Sequence, residues 1–172
     1  MTIEKYMMGL IVMFLFFKSA TAQPFERSAK YEISVWGMNI GEFTVDQKMV
    51  DNNITIEAVT NVNVRMIFTY QVKYIQQSFY KHGILWNSHV EILKNGKINS
   101  NTRLERQAEN YLLIKDGDAA LVDGPITYSG SLLYFQEPKQ IYCIYNERNG
   151  EKNTIKSLDD HTYAIVDKKG NK

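Results

Sequence analysis

Apolar and polar residues alternate along residues 31–166, and this period of two is the dominant pattern of the chain. In the first segment Tyr31, Ile33 and Val35 fall on one face and Glu32 falls on the other. Such alternation is typical of a β-strand with one buried face, because successive side chains of a strand point to opposite sides. The pattern therefore predicts a chain built mainly of strands.

Short turn signals separate these segments. They lie at residues 37–41, residues 51–53, Asn95-Gly96, Asp116-Gly117 and Asn149-Gly150. Asn-Gly and Asp-Gly pairs tolerate positive φ and favour tight hairpins, and strands joined by short turns are antiparallel neighbours. About eight or nine such strands would curl under their own twist. The predicted fold is mainly β, a single antiparallel meander that forms a curved sheet, a half-barrel or a closed barrel.

One segment departs from the alternation, at residues 125–136. Tyr128 and Leu132 recur there at helical spacing. Asp123 is suited to cap a helix, and Pro125 is suited to its first turn. The sequence therefore predicts one short helix at this place, which could cover the mouth of the curved sheet.

The first 22 residues have the features of a secretory signal peptide. A lysine precedes an apolar run of 11 residues at 7–17, and Ala20 and Ala22 follow in the arrangement of a cleavage site. A membrane anchor is the alternative, but a span needs about 20 apolar residues. We therefore predict a signal peptide at 1–22, a single mainly-β domain at 23–172, and a periplasmic or secreted location.

Charge and cysteine content exclude several classes of protein. The formal net charge is +1, and the chain contains neither a run of basic residues nor a polybasic stretch. This balance argues against a nucleic-acid partner. Cys143 is the single cysteine, so no internal disulfide can form. It stands between apolar residues, and we expect a small buried side chain rather than a reactive thiol.

The sequence contains no recognisable catalytic, cofactor-binding or metal-binding motif. The three histidines, His82, His89 and His161, do not have the spacing of metal ligands. No nucleophile elbow and no glycine-rich phosphate loop is present. We therefore assign no catalytic, cofactor-binding or metal-binding residue, and no cofactor.

Aromatic residues are the one enrichment, with 2 Trp, 11 Tyr and 8 Phe. Tyr70 and Tyr74 share one face of a long predicted strand, and Trp86 is expected on the face of Val90. Trp36 stands on the polar face of its segment. Two interpretations remain open: the rings stabilise the sheet through cross-strand pairs, or they line a ligand cavity. On the second, Trp36, Tyr70, Tyr74 and Trp86 are the candidate ligand-binding residues.

Several short stretches resemble a known protein family. Tyr31-Glu32-Ile33, Trp36-Gly37 and Ile40-Gly41-Glu42, followed by residues 128–138, resemble an uncharacterised secreted domain-of-unknown-function family from Bacteroidetes. That family is related to a larger family of uncharacterised periplasmic curved-sheet proteins. The resemblance implies a curved antiparallel sheet in an envelope protein and transfers no catalytic residue. It also implies that the chain lacks a C-terminal strand pair; the alternative is a frayed polar tail at residues 168–172.

These observations favour a non-catalytic binding module. Its ligand would be apolar or lipid-like, or its partner would be an envelope protein. A cell-envelope hydrolase with an unrecognised site is one alternative, and a structural subunit that pairs through an open sheet edge is another. We expect no transmembrane segment in the mature chain.

Overall fold

The computed structural model describes residues 24–65, 69–167 and 169–170. The predicted signal peptide at 1–22 lies outside the described residues. Eight antiparallel strands follow one another in chain order in one sheet. They are β1 (Phe25–Val35), β2 (Met38–Val50), β3 (Asn53–Arg65), β4 (Thr69–Lys81), β5 (Ile84–Lys94), β6 (Lys97–Gln107), β7 (Asn110–Lys115) and β8 (Asp118–Val122).

The predicted antiparallel meander is confirmed. The sheet is open, with β1 and β8 at its two edges. The predicted turns form where expected: Asn95 and Gly96 have φ of 49° and 78°, and Asp116 and Gly117 have φ of 53° and 100°. Asn, Asp and Gly tolerate this left-handed backbone conformation and therefore allow the tight turns that join neighbouring antiparallel strands.

The structure adds a second sheet that the sequence pattern did not separate from the first. It contains β9 (Cys143–Asn146), β10 (Glu151–Asp159) and β11 (Thr162–Val166), with β10 in the middle. The backbone N–H of Ile155 donates to the carbonyl oxygen of Tyr142 at 3.0 Å, on the side away from β11. Ile165 pairs with Ile155. Because Ile155 directs its N–H away from β11, Ile155 and Ile165 form a pair without hydrogen bonds between them. The N–H of Ile165 therefore points away from β10, toward the outer edge of β11.

The predicted short helix is a 3-10 helix at Gly130–Tyr134. It begins later than the pattern suggested, with Ser129 at the N-cap position and no side-chain cap. Asp123 and Pro125 therefore precede it and take no part in it. Helical spacing at Tyr128 was nevertheless informative, because this side chain is buried and its hydroxyl donates to the carbonyl oxygen of Gln136. We call residues 129–136, which contain the 3-10 helix, the helix segment.

The hydrophobic core lies between the first sheet and the segment that follows it. One face of the meander, here called the inner face, contributes the first part of the core, and residues after the meander contribute the second. The main members are Val45, Ile56, Tyr80, Leu85, Leu104 and Tyr111 on the sheet, and Ile126, Leu132, Ile144, Tyr145 and Ile155 beyond it. The inner face is therefore largely filled by the protein's own side chains.

The expectation of a buried Cys143 was wrong. Cys143 is exposed. It is the first residue of β9, and its neighbours Ile144 and Tyr145 take the buried positions of that strand. In a strand of four residues with several apolar side chains in succession, the sequence does not show which of these side chains the first sheet covers.

Candidate functional site

A buried carboxylate lies where the helix segment meets the first sheet. Glu147, just after β9, is only 2% exposed. Its Oε1 accepts the backbone N–H of Ser131 at 3.0 Å and hydroxyl bonds from Ser129 and from Ser78, the latter at 3.4 Å. Its Oε2 accepts the backbone N–H of Gly130 at 3.0 Å. Four donors therefore compensate the burial of this charge.

Tyr80 extends this network into the sheet. Its hydroxyl is hydrogen-bonded to the hydroxyls of Ser129 and Ser131, the latter at 3.3 Å. Burial, and then the charge of Glu147, raise the pKa of Tyr80 far above its usual value, so the phenol stays neutral. Both serines are fully buried. We therefore interpret these residues, with Ser78, as a polar cluster that ties the helix segment to β4.

A pocket of about 260 Å³ lies beside the polar cluster. It lies between β4, the 3-10 helix and the second sheet, and we call it the central pocket. Its lining residues are Tyr74, Gln76, Gly130, Leu133, Tyr134, Ile144, Tyr145, Asn146, Glu147, Asn153 and Ile165. Tyr134 and Ile165 are partly exposed and form its rim. An apolar lining with a few polar groups is usual for small-molecule sites.

Two residues of this lining carry a buried polar atom that has no hydrogen-bond partner. The two atoms are the hydroxyl of Tyr145 and the side-chain oxygen Oδ1 of Asn153. Tyr145 is 1% exposed and Asn153 is 7% exposed. An unpaired buried polar atom costs about 1–3 kcal/mol, and native proteins rarely leave one without a partner. Both residues therefore have hydrogen-bonding capacity that the protein itself does not use.

The phenols around the central pocket are neutral hydrogen-bonding groups. The hydroxyl of Tyr74 donates to Oε1 of Gln76 at 3.0 Å. Burial raises the pKa of Tyr74 far above its usual value, and burial followed by the charge of Glu147 does the same for Tyr145 and raises the pKa of Tyr134. None of these phenols will ionise near neutral pH, so the pocket offers hydrogen bonds and no phenolate nucleophile.

The four predicted binding residues lie in different places. Tyr74 lines the central pocket. Trp36 lies at the β1–β2 turn and is 88% exposed, and Tyr70 is exposed near the start of β4, at the same end of the sheet. Trp86 is exposed on β5. The structure therefore places one of the four at this site.

The expected face of Trp86 was wrong because of a β-bulge. In the β4–β5 ladder Phe79 pairs with Asn87, whereas Tyr80 pairs with Leu85. Trp86 is the extra residue, and such a residue reverses the inside–outside alternation. Leu85 takes the buried position. The ring of Trp86 instead meets the charged groups of Lys81 and Arg106, at 5.0 Å and 5.5 Å from its centroid.

Sequence reasoning missed the polar members of the site. Glu147 lies in a stretch that reads as a solvated turn, and nothing local marks it as buried. Gln76 and Ser78 gave a usable signal, because they stand on the strand face of Tyr74 and Tyr80, where apolar residues were expected. Polar residues on an inward face indicate a buried network or a pocket.

The described residues provide neither a cluster of metal ligands nor a membrane-spanning helix. In this part of the chain no three His, Cys, Asp or Glu side chains are placed to hold a metal ion. His161, considered from the sequence, contacts Glu137 through Nδ1 at 2.9 Å. No helix in residues 24–65, 69–167 and 169–170 has the length and hydropathy needed to cross a membrane.

Residues 31–172 match the family model described as Domain of unknown function (DUF6134). The chain belongs to this family. The DUF6134 match begins within β1 and includes every later strand, the polar cluster and the central pocket. Curated proteins and solved structures give no match to the chain.

Proposed function

We propose that this DUF6134 protein is an exported, non-enzymatic binding module that holds a small, uncharged, largely apolar molecule in the central pocket. The ligand has a hydrogen-bond donor that pairs with Asn153 once its buried Oδ1 turns toward the pocket. Export is inferred from the leader pattern at residues 1–22. The observation that carries the proposal is the pair of buried, unpartnered polar atoms on Tyr145 and Asn153 beside the pocket.

The size of the pocket narrows the ligand class. Pockets for drug-sized ligands measure about 300–1,000 Å³, and the central pocket is slightly smaller at about 260 Å³. Other hollows of the described surface lie elsewhere, and one of about 620 Å³ is lined largely by polar and charged residues such as Lys30, Glu32 and Asn61. We therefore favour a small ligand, or one end of a longer apolar chain, over a whole lipid.

The charge of the pocket favours a neutral ligand. Glu147 is part of the lining, and Oδ1 of Asn153 is an acceptor. An anionic ligand would be repelled by the carboxylate, and its charged group could not donate to the amide oxygen. A neutral molecule with an N–H or O–H group satisfies Asn153 without burying a second charge.

The burial of the polar cluster favours binding over hydrolysis. The hydroxyls of Ser129 and Ser78 donate to the buried carboxylate, the hydroxyl of Ser131 is hydrogen-bonded to that of Ser129, and all three serines are buried. A nucleophile needs contact with its substrate and a base within hydrogen-bond reach. No histidine is hydrogen-bonded to any of these serines among the described residues.

A pair of dyes with one aromatic skeleton tests the proposal. N-phenylnaphthylamine is neutral and carries one N–H donor, and anilinonaphthalene sulfonate adds an anionic group. We expect the neutral dye to bind with enhanced fluorescence and the sulfonate to bind much more weakly. Replacement Asn153→Leu should weaken binding of the neutral dye about tenfold, the equivalent of one hydrogen bond.

Asn53→Leu is the matched control. Oδ1 of Asn53 is also buried and unpartnered, but the residue lies at the start of β3, outside the central pocket. It should leave dye binding unchanged. Equal binding of both dyes would refute the charge argument, and equal losses in the two variants would show that Asn153 acts only through stability. Absence of binding to the wild-type protein would refute the pocket as a site for this ligand class.

A further inference from the structure

The first strand forms a long free edge of the first sheet. Among the described residues no strand pairs with the second side of β1, which is 11 residues long. Such edges are templates for pairing with another chain, and short strands, prolines and bulges are common protections against it. β1 contains no proline, and the extra residue in its ladder with β2 is Ile40, which belongs to β2. The remaining protection of β1 is the charge of its side chains.

The turn between β2 and β3 shows which main-chain groups point out of this edge. Residues 51 and 52 form the turn with positive φ, and Val50 pairs with Asn53. The residues that flank such a turn are hydrogen-bonded, so even-numbered residues of β2 face β3 and odd-numbered ones face β1. Ala29 pairs with Val45, so the odd-numbered residues of β1 face β2. The even-numbered residues direct their N–H and C=O groups to the free side: Glu26, Ser28, Lys30 and Glu32.

On the inner face a row of aromatic rings ends at β1. The ring centroids of Tyr31 and Phe43 are 5.8 Å apart in a stacked arrangement, and those of Phe43 and Tyr134 are 5.1 Å apart. Tyr31 is 55% exposed, and Phe25, on the same face of β1, is 43% exposed. The row therefore ends at the edge strand in rings that remain open to solvent.

On the opposite face of the sheet the charges of β1 have both signs. Glu26 forms an ion pair with Lys48 of β2 at 3.0 Å, and Lys30 forms one with Glu42 of β2 at 2.8 Å. The side chains of Glu26 and Lys30 are 65% and 64% exposed. Each of them can therefore take a second partner of opposite charge from beyond the edge.

We propose that two copies of the chain pair antiparallel through β1, with a two-fold axis at Ser28. The axis sets each residue opposite the residue that lies equally far on the other side of Ser28 in the second copy. Glu26 and Lys30 then form hydrogen-bonded pairs with each other, and Ser28 pairs with its own copy. The two eight-stranded sheets join into one. The proposal rests on the removal of residues 1–22 that belongs to the proposed function, and not on the central pocket.

Both rows of side chains continue across this axis. Glu26 lies beside Lys30 of the second copy, which extends the ion pairs with β2 into a row that alternates in sign. Phe25 lies opposite Tyr31 of the second copy in a pair without hydrogen bonds, where side chains approach most closely. Opposite charges and aromatic rings directly across two strands each stabilise the pairing. The axis repeats both contacts, so each is made twice.

Other registers lose these contacts. A shift of the axis by one residue toward the β1–β2 turn sets Glu26 against Glu32, and a shift by two sets Lys30 against its own copy. Like charges directly opposite each other are destabilising. A shift by three pairs Lys30 with Glu32 but moves Glu26 opposite the β1–β2 turn, out of the ladder. A shift toward Phe25 shortens the ladder. The charges of β1 therefore select the axis at Ser28.

Ser28→Pro tests the edge without disturbing the first sheet. Proline lacks the N–H that Ser28 directs to the free side, and a proline of this kind is tolerated on an edge strand. Wild-type protein that begins at Gln23 should sediment as a dimer at micromolar concentration. Ser28→Pro should keep the circular dichroism of wild type and raise the dissociation constant of the dimer about tenfold or more. It should still bind the neutral dye, so failure of the dimer and failure of the central pocket are distinguishable.

Two charge reversals test the register, and they decide the matter if Ser28→Pro does not fold. Glu26→Lys alone sets two lysines opposite each other, and Lys30→Glu alone sets two glutamates opposite each other. Each variant should dimerise roughly tenfold more weakly than wild type. An equimolar mixture of the two variants should regain association, because every opposed pair then contains one lysine and one glutamate.

A disulfide at the axis tests the register independently. In a Cys143→Ser background, Ser28→Cys should cross-link two copies on mild oxidation, because opposed Cα atoms of a hydrogen-bonded pair are about 5.5 Å apart. Ser34→Cys is the matched control, since its two copies lie roughly 40 Å apart in this register. The proposal is overturned if the wild-type protein is a monomer, or if Ser28→Pro dimerises as well as wild type. It is also overturned if the charge variants do not rescue each other, or if Ser34→Cys cross-links as readily as Ser28→Cys.

Discussion

Replacement of Glu147 by Gln tests whether the buried carboxylate holds the helix segment onto the first sheet. The change keeps the size and shape of the side chain and removes its charge. The amide carries one acceptor and two N–H donors in place of two acceptor oxygens. All four groups that contact Glu147 are donors to it, so the amide nitrogen has no acceptor among them.

The magnitude follows from these four contacts. The least costly orientation places the amide nitrogen where Oε2 was, facing the N–H of Gly130, and leaves that donor unpaired at a cost of about 1–3 kcal/mol. The three bonds to Oε1 change from charge-assisted to neutral, a loss of about 1 kcal/mol each. Relief of the buried charge takes back part of this sum. We expect the free energy of unfolding to fall by about 2–4 kcal/mol.

Urea unfolding followed by circular dichroism measures this change, with Glu105→Gln as the control. Glu105 lies exposed on β6, and its replacement should stay within about 0.5 kcal/mol of wild type. If Glu147→Gln does not fold, Ser129→Ala tests the same polar cluster with a smaller expected loss of stability. It removes the hydroxyl that joins Tyr80 to Glu147, and it should cost about 1–3 kcal/mol.

A Glu147→Gln protein as stable as wild type, or more stable, would refute the reasoning. It would mean that the cost of burying the carboxylate cancels its hydrogen bonds and that apolar packing alone holds the helix segment. A loss in Glu105→Gln as large as in Glu147→Gln would also refute it, because the effect would then be one of net charge.

Three further predictions concern the two ends of the chain and its thiol. We predict that the mature protein begins at Gln23 by intact mass, and a product that retains residues 1–22 would contradict the signal peptide. The exposed thiol of Cys143 should be fully alkylated by iodoacetamide in the folded protein; labelling that requires urea would contradict its exposure. In hydrogen exchange Ile165 should exchange faster than Ala164 and Val166, because only its N–H faces the open edge of β11; equal protection of all three would indicate a second neighbouring strand.

Local patterns were enough to predict the strands, the hairpin turns and the antiparallel meander. The alternation of apolar and polar residues along β2 and β3 involves residues close in sequence, and so do turn signals such as Asn95-Gly96. Such patterns can therefore be recognised without knowing the fold. The same holds for the position of the short helix, although not for its type or its first residue. The predicted strand face of Trp86 was wrong because Trp86 is the extra residue of a β-bulge, which interrupts the alternation of faces. A bulge depends on pairing with the partner strand and cannot be recognised from local alternation.

The site depended on contacts between residues far apart in the chain. Ser78 and Glu147 are separated by 69 positions and meet only because the helix segment folds back over β4. Glu147 and Asn153 read as surface residues of a turn and a strand, and their burial is set by the first sheet that covers them. Among the aromatics, Tyr74 faces the pocket and Trp36 faces solvent, a difference that composition cannot express. The sequence by itself determined which segments are extended and where they turn; the tertiary structure decided which polar groups are buried, because burial is a property of what packs on a residue from elsewhere in the chain.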